Sequence, residues 1–476
     1  MGGARWLVLG MLCLQFAWIL AVPPFRGSDE VDHAYRAAAV AHGQWSSTEV
    51  ADQGRGLLVR VPSDLVRAAR PQCERMGSSG PQNCDGPLGA QGLRTVASAA
   101  TTYPPLYYWI VGQAAGARDG AAGLYVMRGV SALLCTLMIG VAAWVFPRTR
   151  WRGPQIGFLL ALSPVLVYST SIVAPNGLEM SAALCVWAAA LRLRDVLPKV
   201  SPEGVAVPWS VLVTAGVVLC LARTLGPVFL ILIVALVLGF RPRVNLALLL
   251  QRLRVWRTCV GAGILAVAGI SSVAWTYARG PFSPAAAQEG DPGVQMSWAD
   301  LVGNFVLWGF QAIAAFPYRD QLAPTIVYAL WGSVLVAWLL VAFQARVDRG
   351  LLTAALVVAL TFPVVMTLLV SSEVGAFWQG RYGLPLLVGV PMIAGLMIGE
   401  RVGSAARVLA VVAAVVTVVA SGASTLRVVA LERTEAASTT DGIWHQPPPV
   451  LVLLLVLAAG LSWARYVWPT VERASA

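Results

Sequence analysis

The sequence predicts an all-α polytopic membrane protein, a bundle of about twelve transmembrane helices with a long first extracytoplasmic loop. Three observations predict it. Of 476 residues, 58% are hydrophobic and 12% charged, with a mean hydropathy of +0.71, so charged side chains are too few to coat a soluble globule. Apolar runs of membrane-spanning length recur along the whole chain. The basic residues collect on alternate connections, the signature of cytoplasmic loops. One transmembrane unit over 1–476 is expected. The net charge of +11 therefore points to anionic lipid and not to nucleic acid.

The spans begin near Trp6, Leu124, Pro154, Gly177, Pro208, Leu225, Thr258, Pro324, Leu351, Gly383, Ala405 and Val450. The first is read as a retained anchor, because its apolar core is long for a signal peptide and Pro23-Pro24 follows. The run 207–240 exceeds one span and is divided at Ala222–Pro227. With the N-terminus inside, the cytoplasmic pieces hold 18 Lys/Arg against 5 Asp/Glu. The loop 23–105 holds 8 against 8, and the remainder 8 against 10. A multi-pass plasma (inner) membrane protein follows, with both termini cytoplasmic and the loops 23–120 and 278–323 outside. Residues 241–257 alternate leucine with arginine and are expected to form a cytoplasmic amphipathic linker on the membrane surface.

The first loop opens with Pro23-Pro24-Phe25-Arg26-Gly27-Ser28-Asp29-Glu30-Val31-Asp32-His33-Ala34-Tyr35-Arg36. Asp29 is placed to cap a helix that stops at Gly43. On that helix Asp29, Asp32, His33 and Arg36 share a face, and such a face at a membrane rim could take a proton from a substrate hydroxyl. The plainer reading is that Asp29 and Glu30 merely favour the positive end of the helix. Cys73 and Cys84 lie together in the same loop, and a disulfide between them suits an oxidising compartment. The other five cysteines fall in apolar segments and read as packing residues.

The loop closes on Thr102-Tyr103-Pro104-Pro105-Leu106-Tyr107-Tyr108-Trp109, either interfacial anchors or an aromatic floor for a sugar or isoprenoid. Further on, Asn176 and Glu179 have capping-box spacing. Arg128, Arg223 and Arg381 fall near outer ends of spans, where arginine is disfavoured unless it meets an anion. That anion is either a carboxylate (Asp29, Glu179 or Glu373) or a phosphate, which arginine grips bidentately. Arg381 is the strongest case, flanked by Phe377, Trp378, Gln379, Gly380 and Tyr382. No P-loop, dinucleotide fingerprint or HExxH occurs, and the histidines His33, His42 and His445 are scattered, so no metal site is expected.

Four motifs in order resemble a family of bacterial integral membrane proteins grouped with the GT-C superfamily of polyprenyl-phosphate-dependent glycosyltransferases. They are Pro23-Pro24 through Asp29-Glu30, His33 and Arg36; Tyr103-Pro104-Pro105-Leu106-Tyr107-Tyr108; Ser163-Pro164 through Pro175-Asn176-Gly177; and Gln379-Gly380-Arg381-Tyr382 with Pro385. The resemblance implies a GT-C-like bundle with an acidic catalytic residue in the first outer loop, here Asp29 or Glu30. The chain departs from it at Asn176, where an acid is expected. The expected reaction is inverting transfer of a sugar from a polyprenyl-phosphate-linked donor to a cell-envelope glycan or glycolipid acceptor. Asp29 would serve as base, with Glu30 the second choice. Arg381 and Gln379 would hold the phosphate with Arg223 or Arg128. Asp32, His33, Arg36, Tyr103, Asn176, Glu179 and Tyr382 would line the substrate. No cofactor is required, although a divalent cation could bridge acids and phosphate. The competing readings are a transporter or flippase of envelope lipids or lipid-linked sugars, and a polymerase or ligase of lipid-linked oligosaccharides. No internal repeat of the kind many secondary transporters carry is seen.

Overall fold

The protein is described by a computed structural model. The structure describes residues 3–468 except 77–79, 117, 119, 150–151, 200–201, 240–241, 254, 280–296, 318, 320, 346–347, 375–377, 399–404 and 437–443.

Helix α1 (Ala4–Ala21) is apolar apart from Arg5 and Gln15 and ends before Pro23-Pro24, which cannot continue it. Its one buried amide, Gln15, is fully used. Gln15 Nε2 donates to Ala132 O (3.2 Å) and Thr170 Oγ1 (3.0 Å), and its Oε1 accepts from Thr136 (2.6 Å). The first loop then folds as a small subdomain. Helix α2 (Glu30–Ala41) is followed by strand β1 (Leu57–Pro62), α3 (Ser63–Arg75), the short α4 (Pro81–Cys84) and strand β2 (Leu93–Ser98). The strands pair antiparallel, Leu57 opposite Ser98 and Pro62 opposite Leu93. Cys73 and Cys84 form a disulfide, with sulfurs 2.01 Å apart. Residues Glu30 to Val40 are all buried, so α2 is enclosed on every side and is not a two-faced surface helix.

The bundle follows: α5 (Leu106–Ala115), α6 (Gly120–Val145), α7 (Gly153–Leu160), α8 (Pro164–Ser169), α9 (Pro175–Val196), α10 (Pro202–Ala222), α11 (Gly226–Leu238), α12 (Pro242–Leu253) and α13 (Val255–Arg279). Beyond it come α14 (Trp298–Ile313), the hairpin β3–β4 (Ala315–Phe316 with Gln321–Leu322), α15 (Thr325–Gln344) and α16 (Arg349–Val374). The last helices are α17 (Leu384–Leu387), α18 (Gly389–Ile398), α19 (Ala406–Ala436) and α20 (Pro449–Val467).

Among the described residues nine helical segments are long and apolar enough to cross a membrane. The other three expected spans take forms that length alone could not foresee. The segment from Pro154 is broken into α7 and α8 at Ser163-Pro164, where Ser163 caps the second piece. Helix α9 is 22 residues long but carries Glu179 at one end and Arg192, Arg194 and Asp195 at the other. Helix α11, at 13 residues, rises only about 20 Å, short of a ~30 Å hydrocarbon layer. The expected linker 241–257 also divides: α12 stops at Leu253 and α13 already runs from Val255. Part of the second outer loop, 280–296, lies outside the described residues.

Candidate active site

The site forms where α2, the turn before it, the N-terminus of α9, the junction of α10 and α11, and the 3-10 turn Gly380–Gly383 meet. Asp29 occupies the N-cap position of α2 but does not cap it. Its backbone is left-handed (φ 56°, ψ 18°), a conformation Asp tolerates better than most residues, and no side-chain cap bond forms. The carboxylate instead reaches across 352 positions of sequence to Arg381, Oδ2 to Nη2 2.8 Å. The Asp29 side chain is 25% exposed, that of Arg381 5%. Burial alone would raise the pKa of Asp29. The guanidinium groups of Arg381 and Arg319, with smaller contributions from His33 and Arg55, outweigh it and hold the carboxyl well below the usual range.

Glu30 has a different fate. It is wholly buried, and both oxygens are saturated: Oε1 accepts from Arg128 Nε (2.8 Å) and Val173 N (3.0 Å), Oε2 from Arg128 Nη2 (2.6 Å) and Gly27 N (3.1 Å). Arg128 spends its remaining donors on the carbonyls of Ile19 (3.2 Å), Val22 (2.7 Å) and Pro23 (2.8 Å). This pair locks the turn after α1 onto α6 and leaves no N–H for a ligand. Arg36 lies two turns along α2 from Asp29 and donates from Nη1 and Nη2 to the carbonyls of Gln44 (3.2 Å) and Trp45 (2.8 Å) at the end of the helix, while its Nε has no partner among the described residues.

Asp32 faces the strand side of the subdomain. Its Oδ1 accepts from Ala99 N (2.8 Å) and its Oδ2 from Arg55 (3.5 Å). Burial pushes its pKa up to about 6, with the Arg55 charge and the Ala99 N–H opposing. His33 Nδ1 meets Tyr108 Oη at 2.9 Å, and its ring lies 5.9 Å from both Tyr103 and Tyr108. Burial pushes the imidazole down to about 3 despite the attraction of Asp29, so His33 is neutral at physiological pH.

Beside this lies a second guanidinium. Arg223 donates to Glu179 Oε2 (3.2 Å) and Tyr103 Oη (3.2 Å), and its charge sits 4.7 Å from the Tyr382 ring centre and 5.1 Å from that of Tyr103. Arg381 also sits over Tyr382, at 5.4 Å, so one aromatic ring lies against both cations. The capping box expected of Asn176 and Glu179 is absent, because Ala174 takes the N-cap of α9 and Glu179 is drawn to Arg223. Several buried polar atoms here lack a partner among the described residues: Asn176 Nδ2, Glu179 Oε1, Arg223 Nε, Gln379 Oε1 and Arg381 Nε. Buried polar groups are ordinarily paired, so this cluster makes the place a candidate for binding a polar ligand or water. Of the carboxylates Asp29, Glu30, Asp32 and Glu179, Asp29 has by far the most solvent access.

Sequence reasoning missed several residues that hold the site. Ser28 Oγ donates to Pro317 O (2.7 Å), and the Tyr168 hydroxyl donates to the same carbonyl while accepting from Ser28 N (3.2 Å). The hairpin is thereby tied to the Asp29 turn, and Arg319 at its tip (φ 77°) comes within electrostatic reach of Asp29. Glu432 of α19, fully buried, accepts from Arg26 (3.0 Å), Arg75 (2.9 Å) and Gln321 (2.7 Å) and ties loop, hairpin and bundle together. An arginine in a connection with net acidic charge was the available signal for Arg319; Glu432 offered none. Gly380 is required for packing: a Cβ there would lie 2.0 Å from Trp308 O, so α14 rests directly on the turn that presents Arg381. The side chain of Glu373 and residue Phe377 lie outside what is described. Among the described residues no three His, Cys, Asp or Glu side chains converge as metal ligands.

Residues 12–390 match the family described as "Predicted membrane protein (DUF2142)", and the chain belongs to that family. No curated protein sequence matches. Among solved structures the chain is similar to ArnT from Cupriavidus metallidurans in the apo state, at 13% identity and a TM-score of 0.48, covering 98% of this chain and 77% of that one. It is similar also to ArnT from the same organism bound to undecaprenyl phosphate, at 13% identity and 0.46, with the same coverage.

Proposed function

We propose that this DUF2142 member is an inverting glycosyltransferase that moves a sugar from a polyprenyl-phosphate donor to a cell-envelope glycan or glycolipid acceptor. It would work at the extracytoplasmic face of the plasma membrane, with both termini cytoplasmic. The observation that carries this reading is the pairing of Asp29, a solvent-touching carboxylate, with Arg381, a buried guanidinium, beside Arg223 and a set of unpartnered buried polar atoms.

Asp29 accepts the proton of an acceptor hydroxyl as that oxygen attacks the anomeric carbon. The bond from that carbon to the phosphate oxygen breaks on the opposite face, so the anomeric configuration inverts. The electron pair leaves on a phosphate that is already a stable anion, and no general acid is needed. Arg381 and Arg223 neutralise it, with Gln379 and Asn176 supplying the neutral contacts. Tyr103 and Tyr382 offer aromatic faces to the sugar. Glu30 and Arg128, saturated by one another and by backbone, act as positioning residues and not as base and clamp. Arg36 keeps the end of α2 in place in the same way.

Without donor, Asp29 itself occupies the anion seat on Arg381. A donor phosphate taking that seat removes the charge that most depresses Asp29 and leaves the carboxylate more basic at the moment a base is required. Substrate binding and base activation are then one exchange of anions on a single guanidinium.

An apolar cleft of 970 Å³ between α10, α11, α12 and α13 begins at Cys220 and Pro227, close in sequence to Arg223. It suits a hydrocarbon chain and keeps a lipid carrier in view as the second reading. The test is transfer itself: with a polyprenyl-phosphate sugar in proteoliposomes, the wild type releases polyprenyl phosphate and glycosylates an acceptor. A carrier would move the lipid between leaflets with the glycosidic bond intact.

A further inference from the structure

At the end of the bundle away from Asp29 lies a separate cavity of 370 Å³, lined among others by Trp144, Arg148, Arg192, Gly204, Val207 and Pro208. Helices α6, α9 and α10 each run from this cavity toward the candidate active site. Arg128 stands 17 residues before Val145 on α6, about 25 Å along the helix. The two sites are thus separated by nearly the thickness of a hydrocarbon layer.

The lining combines two properties. Its cations are Arg148 and Arg192. Arg148 is exposed and, among the described residues, donates only a long bond to Ala143 O (3.3 Å). Among the described residues the lining holds two arginines and no acid, and Asp195, outside the lining, pairs with both Arg192 (3.1 Å) and Lys199 (2.6 Å), so the lining keeps a positive excess. Its rim is apolar and open sideways: Trp144 is 43% and Val207 45% exposed, and both belong to helices long enough to cross the membrane. A soluble anion needs the cations alone. An amphiphile with an anionic head and a hydrocarbon body uses both.

We propose that this cavity binds the anionic phosphate headgroup of a membrane lipid, in the leaflet opposite the Asp29 site. Arg148 and Arg192 receive the phosphate, and the indole of Trp144 lies at the level where headgroup meets acyl chain, the depth at which tryptophan settles. The site stands apart from the transfer chemistry and does not depend on it.

The test uses the full-length chain, delipidated in a neutral detergent, with dioleoylphosphatidylglycerol, dioleoylphosphatidylcholine and inorganic phosphate as probes. Binding is followed by native mass spectrometry and by the shift in unfolding temperature. Phosphatidylglycerol is expected to be retained and to stabilise the wild type more than phosphatidylcholine does. Arg148→Ala with Arg192→Ala should weaken its binding about thirtyfold, while the double lysine variant keeps most of it. Arg148→Ala alone changes an exposed side chain and guards against a folding defect; it should weaken binding several-fold. Equal retention of both lipids, or unchanged phosphatidylglycerol binding in the alanine variants, overturns the site. Stabilisation by inorganic phosphate equal to that by phosphatidylglycerol overturns the lipid as occupant.

Discussion

Replacing Asp29 with asparagine should produce opposite effects on binding and on chemistry. The amide keeps the shape of the carboxylate and an acceptor for Arg381, but removes the charge. In the wild type an entering phosphate must first break the Asp29–Arg381 contact, 2.8 Å long between a one-quarter exposed acid and a nearly buried cation. At an effective dielectric near 20 the bare attraction is about 4 kcal/mol at ion-pair distance. The exposure of Asp29 and the rehydration it gains on release offset more than half of that, since exposed pairs are worth under about 1 kcal/mol net. A net figure of about 1.5 kcal/mol corresponds to roughly tenfold tighter binding of polyprenyl phosphate by Asp29→Asn. Transfer in the same variant should fall by about 10²- to 10⁴-fold, the usual cost of a lost general base. Titration of the nanodisc-embedded chain with polyprenyl phosphate measures the first, and release of labelled sugar the second. Weaker binding, or transfer within a few-fold of wild type, would refute the anion exchange.

Breaking the internal lock should be structural in effect: Glu30→Gln leaves Arg128 buried beside a neutral partner and should cost about 3–5 kcal/mol, seen as a lowered unfolding temperature and poor membrane yield. Arg381→Ala, by contrast, should leave the fold intact and weaken polyprenyl phosphate binding by about 10- to 100-fold, measured in the same titration. The pH dependence of stability separates Asp32 from His33. Asp32 holds its proton in the folded chain up to about pH 6 and loses it near 3.9 when unfolded, so its contribution falls as pH rises through that window. His33 is neutral when folded above about pH 3 and protonated when unfolded below about 6.5, so its contribution rises over the same range. The two oppose one another, and wild-type stability should be nearly flat from about pH 4 to 6. Asp32→Asn should unmask a rise, and His33→Gln a fall, each of up to about 1.4 kcal/mol per pH unit in denaturant titrations. Parallel curves for all three proteins would contradict these assignments. Below about pH 4 stability should drop as Asp29, whose contribution is present above the ordinary carboxylate range, is neutralised.

Much of this site was legible in the sequence because its members break membrane rules. Arginines near outer span ends and carboxylates just past the first span are costly there, and that cost singled out Arg381, Arg223 and Asp29, which the fold brings together, as candidates. Their pairing was harder. Local rules assigned Asp29 and Glu179 to helix capping, but a buried guanidinium competes with a backbone N–H for a carboxylate, and the guanidinium won both times. Neighbouring residues Asp29 and Glu30 are alike in sequence; the left-handed backbone at Asp29 sends the first to Arg381 and the second into a saturated pair with Arg128. Arg319, despite its place in a net-acidic connection, and Glu432 were missed for a different reason. Their roles depend on tertiary contacts with Asp29 and with Arg26, Arg75 and Gln321, which no periodicity or spacing encodes. The spans show the same division: hydropathy located them, but the break between α7 and α8 lies at the local cap Ser163-Pro164 and α11 stops after 13 residues, neither of which a count of apolar residues reveals.

The most direct test of the central claim is the anomeric outcome of a single turnover. Purified chain in proteoliposomes would receive a polyprenyl-phosphate sugar of known anomeric configuration with envelope glycolipid as acceptor, and the product would be read by NMR. The account predicts one glycosidic bond formed per polyprenyl phosphate released, with the configuration inverted, and none with Asp29→Asn. Retention of configuration, or lipid crossing the bilayer with its sugar still attached, would contradict it.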